Sequence, residues 1–132
     1  TMDAAGRKCV NAAQPSQYPA GAAPITASAI GTTSATMATL AGTSGKTTYV
    51  CGFAIRANAT AAATGDATVT GTISGTLHFT QWISPLASGI GLVEETFFPC
   101  VPASAANTGI VVQSAAPGSG GVVSVTAWGY QL

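Results

Sequence analysis

The chain has 132 residues, and only 6% of them are charged, four basic and four acidic, so the formal net charge is zero. An ordinary soluble domain carries about 25% charged residues. The balance excludes recruitment of nucleic acid or an anionic membrane by bulk electrostatics. A surface so poor in charge suits a protein held against copies of itself or against a partner.

The length fits one domain with a core of its own. Ala, Thr, Gly, Ser and Val dominate, and Thr and Val favour pleated, half-buried surfaces. No apolar run is long enough for a membrane-spanning helix. The opening Thr1-Met2-Asp3-Ala4 lacks the basic end and apolar run of a signal peptide, and Thr1 fits a native cytosolic start with a trimmed Met and a cleaved precursor equally. Cys9, Cys51 and Cys100 cannot all pair within one chain. Free buried thiols are the expectation, and a Cys51–Cys100 bridge between sheets is the alternative. No Cys-x-x-Cys or neighbouring His gives zinc spacing, so neither a metal nor a cofactor is expected.

Residues 1–25 have no period. Pro15, Pro19 and Pro24 break any helix and favour extended backbone, and Tyr18 is the large aromatic side chain of the stretch. A segment of this length without structure of its own is usually either functional or disordered. It is therefore expected to be an arm laid on a partner, with Arg7, Lys8, Pro15, Tyr18 and Pro19 in contact.

From residue 25 onward the period is two. Residues 30–40 alternate weakly, and Gly42, Ser44 and Gly45 make a turn. In the next strand Tyr49, Cys51, Phe53 and Ile55 are expected to face one way, with Thr48, Val50, Ala54 and Arg56 opposite. Residues 58–66 read as a small-residue loop. Val69, Ile73, Leu77 and Phe79 share one face, while Thr70, Thr72, Ser74, Thr76, His78 and Thr80 share the other. A single strand over residues 67–81 would span roughly 50 Å, so Ser74-Gly75 is a hairpin turn or a bend. Residues 92–101 form a strand that Pro99 assigns to an edge. Residues 110–113 make a short strand. Val123, Val125 and Ala127 of the last strand oppose Ser124, Thr126, Trp128 and Tyr130. Six to eight strands with no helical period between them predict an all-β fold. It is an antiparallel β-sandwich or jelly roll over residues 26–132, preceded by the extended arm at 1–25.

The ionisable residues do not assemble a catalytic group. His78 lies on a Thr-lined strand face with no nucleophile and acid in sequence to complete a triad. Glu94 and Glu95 are adjacent, so on a strand they point to opposite faces and pair more readily with Arg56 or Lys46. Gly118-Ser119-Gly120-Gly121 has the glycines of a phosphate loop but no following Lys-Ser/Thr. Asn58-Ala59-Thr60 matches a glycosylation acceptor by chance composition. Trp82, Trp128 and His78 are candidates for an interface or a glycan-stacking platform. No catalytic residue is expected.

Gly-Lys-Thr-Thr-Tyr-Val-Cys-Gly-Phe at residues 45–53 is followed by a Gly/Ala-rich hairpin region and an edge strand bearing a Pro. The chain closes on Gly-Gly-Val-Val-Ser-Val-Thr-Ala-Trp-Gly-Tyr-Gln-Leu at residues 120–132. This rhythm resembles small virion proteins of tailed bacteriophages. The resemblance implies a jelly-roll or sandwich module of the virion, made in the host cytoplasm and often a homotrimer. It implies a capsid decoration (cement) protein that stabilises the head shell, or a head or tail appendage. The implied partner is the major capsid protein or another virion protein, with no nucleic acid and no membrane. The runner-up is a receptor- or carbohydrate-binding appendage. A surface-layer adhesive module is a third class.

Overall fold

Alternation of β-branched and small residues produces eight strands in the computed structural model, which describes residues 18–132. They are β1 (Ala23–Gly31), β2 (Met37–Leu40), β3 (Thr48–Ala59), β4 (Ala63–Thr72), β5 (Gly75–Pro85), β6 (Gly91–Pro102), β7 (Ile110–Gln113) and β8 (Val122–Gln131). A single 3₁₀ turn, Leu86–Ser88, interrupts them. Strand 1 pairs with 8, 2 with 7, 3 with 6 and 4 with 5, all antiparallel. This is a long hairpin rolled over on itself, the order of a jelly roll.

One sheet runs β1-β8-β3-β6 and the other β5-β4-β7-β2. They join at a corner where β3 and β5 pair in parallel over Asn58–Ser84 and Ala59–Pro85. Leu40, Val50, Phe53, Ile55, Val69, Ile83, Ile110, Val112, Val123 and Val125 are buried between them. Phe53 of the first sheet meets Phe79 of the second with ring centroids 5.1 Å apart, and Phe97 packs beside both. Gln131 closes one end: its Nε2 donates to the Ala41 carbonyl at 2.8 Å, and its Oε1 accepts from the Thr43 hydroxyl at 3.0 Å.

Several sequence expectations need correction. The strand face assigned to Tyr49, Cys51, Phe53 and Ile55 does not exist as one face. A bulge between Val50 and Gly52 inserts Cys51 and reverses the parity. Thr48 and Val50 therefore point inward with Phe53 and Ile55, and Tyr49 points out. Residues 58–66 are not a loop, because β3 continues to Ala59 and β4 starts at Ala63. Small size let Ala57, Ala59 and Ala67 serve as core residues there. Ile73 is not on the buried face: residues 72–75 form the β4–β5 hairpin, and Ile73 is 67% exposed at its tip. Gly75 takes φ +80°, a value that strains any side chain, and the Thr72 hydroxyl donates to its carbonyl at 2.6 Å. The domain also begins earlier than residue 26, since Ala23 already pairs with Gln131.

Cys51 and Cys100 are joined by a disulfide, not left as free thiols. The bridge links neighbouring strands β3 and β6 of one sheet; it does not cross between sheets. Opposite the bulge, β6 makes an excursion of its own between Thr96 and Val101. The disulfide ties that excursion to the strand centre. Closing a loop across a sequence separation of 49 removes unfolded-state entropy worth about 4 kcal/mol in the chain-entropy description. Replacing both cysteines by alanine should lower unfolding free energy in urea by about 2–4 kcal/mol. A loss under about 0.5 kcal/mol would mean the bridge does not constrain the chain.

Candidate interaction face

The solvent side of the first sheet is built in rows across its strands. At one end Pro24, Tyr130, Tyr49 and Pro102 lie side by side. Thr26, Trp128, Gly52 and Thr96 come next, then Ser28, Thr126, Ala54 and Glu94. The row of Ile30, Ser124, Arg56 and Leu92 follows, and Val122 beside Asn58 ends the face. Arg56 and Glu94 are the charged members, so most of the surface is aromatic, apolar or hydroxyl-bearing.

The aromatic end is ordered by stacking. The Tyr49 and Tyr130 rings lie 4.6 Å apart at 15°, and Tyr18 meets Tyr130 edge-on at 5.6 Å. Trp128 lies over Gly52, where an added Cβ would strike the indole ring. A glycine in a strand interior is a common mark of close approach. Burial, and then the neighbouring Tyr49 phenol, hold the Tyr130 hydroxyl's pKa above its usual value of 10.0.

At the opposite end the face is hollow. Ala54, Arg56, Ser124 and Thr126 line a depression of about 280 Å³. Next to it, Ile30, Asn58, Leu86, Ile90 and Val122 surround Arg56 and Ser124 in one of about 400 Å³.

The second sheet presents a different surface. Thr76, His78, Thr80 and Trp82 project outward from β5 beside Thr64, Asp66 and Thr68 of β4. His78 Nδ1 lies 2.6 Å from Asp66 Oδ2, and both side chains are more than half exposed. Trp82 is 48% exposed.

The structure thus divides the sequence candidates. Trp82 and His78 share one sheet face, and Trp128 belongs to the other sheet. Tyr18 rests on Tyr130 of its own domain, and Pro19 is exposed in the turn that precedes β1. Arg7, Lys8 and Pro15 lie outside the described residues. Glu94 and Glu95 do face opposite sides, but no ion pair joins either to Arg56 or Lys46 among the described residues. Asn58 sits in β3 with its Oδ1 buried, not on a surface loop. Tyr49, Tyr130, Arg56 and Asn58 were missed as a shared surface because the bulge hid the common face. Cys51-Gly52 in mid-strand was the available signal, since a glycine inside an alternating run suggests a bulge.

Comparison with family models, curated proteins and solved structures gave no match.

The raised Tyr130 value has a consequence for stability. Below about pH 10 the phenol is neutral in folded and unfolded chains alike, and its contribution is complete. As pH rises further, the unfolded chain releases this proton first and stability falls. The urea midpoint should drop as pH rises past about 10, and drop less in Tyr130→Phe. Equal losses in both proteins would remove Tyr130 as the source.

Proposed function

We propose that this chain is a structural virion protein of the capsid-decoration type, docking on a protein shell through the outer face of the first sheet and its N-terminal arm. The carrying observation is that face, with Trp128, Tyr49, Tyr130 and Tyr18 at one end and an apolar hollow around Arg56 at the other. Tyr, Trp and Arg are the side chains that most often anchor protein interfaces. Low charge supports the reading, since little desolvation penalty opposes close contact. Jelly rolls recur in viral shells, which supports it by fold analogy. The disulfide fits a particle exposed to oxidising surroundings. Docking requires no chemical step, and the ionisable groups of the described residues are spread over both sheets.

The proposed arm at 1–25 overlaps β1, which starts at Ala23, and Tyr18, which packs on Tyr130, so its test removes residues 1–17 alone. Deleting them should leave a protein with an unchanged cooperative thermal transition that no longer co-sediments with capsid shells. Undiminished co-sedimentation would refute a docking role for the arm.

A second reading has one observation in its favour. Trp82 lies exposed on the same strand face as His78, beside a row of hydroxyls. An indole face with flanking hydrogen-bonding groups suits a sugar ring. It predicts glycan-array hits that disappear in Trp82→Ala and persist in Trp128→Phe. An array without hits rules it out.

A further inference from the structure

The hollow end of the first sheet is shaped for a ligand that carries both an apolar group and a carboxylate. Its walls are Ile30, Leu86, Ile90 and Val122, exposed by 76%, 56%, 62% and 44%. Burying such side chains is the main source of association energy. Arg56 stands among them and makes no ion pair or hydrogen bond through its guanidinium within the described residues. Asn58 lines the same hollow, and its buried Oδ1 has no hydrogen-bond partner. A buried acceptor left unpaired costs free energy until a donor reaches it. The site therefore offers a cation among apolar walls, which together call for an extended peptide segment with an acidic residue.

The chain carries such a segment on its own surface. Among the described residues β6 forms a ladder only with β3, which leaves it an edge strand. Leu92 is 52% exposed and Glu94 is exposed, and they project to one side two residues apart. Glu94 and Glu95 make no ion pair among the described residues. The unpaired Glu94 carboxylate near the unpaired Arg56 guanidinium, on one apolar patch, is complementary to the same patch on a copy turned to face it. A two-fold contact would then form the Arg56–Glu94 pair twice.

We propose that the Arg56–Asn58 hollow is a self-association site that receives the Leu92–Glu94 stretch of β6 from a second copy of this chain. Apolar contact supplies the affinity, and the Arg56–Glu94 pair fixes the orientation. This deepens the reading of the chain as an assembly module and rests on it.

The test is sedimentation of the purified full chain over a range of concentrations, with Arg56→Glu, Glu94→Arg and the double charge swap. The wild type should associate reversibly. Each single reversal should weaken association roughly tenfold or more, and the double swap should recover most of the loss. Both positions are exposed, and unchanged thermal unfolding in each variant confirms folding. A monomeric wild type overturns the proposal. So does an oligomer indifferent to the reversals, or a double variant no better than the singles. Shell co-sedimentation of the same proteins separates the two ideas: a monomer that still binds shells refutes the self-contact and keeps the docking function.

Discussion

The bulge at Cys51 is the constraint from which the rest of this domain follows. β3 is the strand that touches β8, β6 and β5, so a parity change in it is transmitted to both sheets. With the extra residue, Thr48 and Val50 enter the core along with Phe53 and Ile55. Without it, one of these pairs would be driven into water, because a one-residue slip exchanges the two faces of a strand. The bulge also brings Cys51 to Cys100 and sets Gly52 beneath the Trp128 ring. Tyr49 is turned outward to stack on Tyr130 by the same event. The core, the covalent tie and the aromatic end of the outer face share one cause.

The two sheets divide labour by what they show to solvent. The second sheet displays hydroxyls and a His–Asp contact on its four-strand face. The first displays rings, aliphatic groups and an isolated cation. Sequence alternation supplies both patterns, since each strand must bury one side and is free to vary the other. An outer side that water does not demand to be apolar, yet is apolar, reports an interaction. Small residues, Ala54 and Ser124, leave room between larger neighbours in the depressions around Arg56.

Much of this was legible in the residues. The all-β class, the edge position of the Pro99 strand, the extent of β7 and the inward set Val123, Val125 and Ala127 all follow from period-two alternation and turn residues. What failed did so for identifiable reasons. The Ala-rich ends of β3 and β4 resemble a loop in sequence because alanine carries little hydrophobic signal, although it packs where strands approach closely. Alternation puts Tyr49 on the wrong face because it assumes an unbroken register. The pairing of the cysteines was undecidable from spacing, since it depends on which strands become neighbours. The gathering of Arg56, Asn58, Ile30 and Val122 needs the β1-β8-β3 order, and no local pattern contains that order.

The adjacency of Ala23 and Gln131 has a mechanical meaning. Load applied between these two points would open the β1–β8 ladder one pair at a time, as a zipper, not shear all its hydrogen bonds together. Opening would pass inward to β3 and then meet the disulfide. The 49-residue separation between Cys51 and Cys100 encloses β4 and β5, and a closed covalent loop cannot lengthen. At roughly 3.4 Å per residue, this withholds on the order of 160 Å of chain from extension. A domain pulled by its ends would thus yield early at its margin and then stop short, keeping the β4–β5 hairpin within a fixed tether.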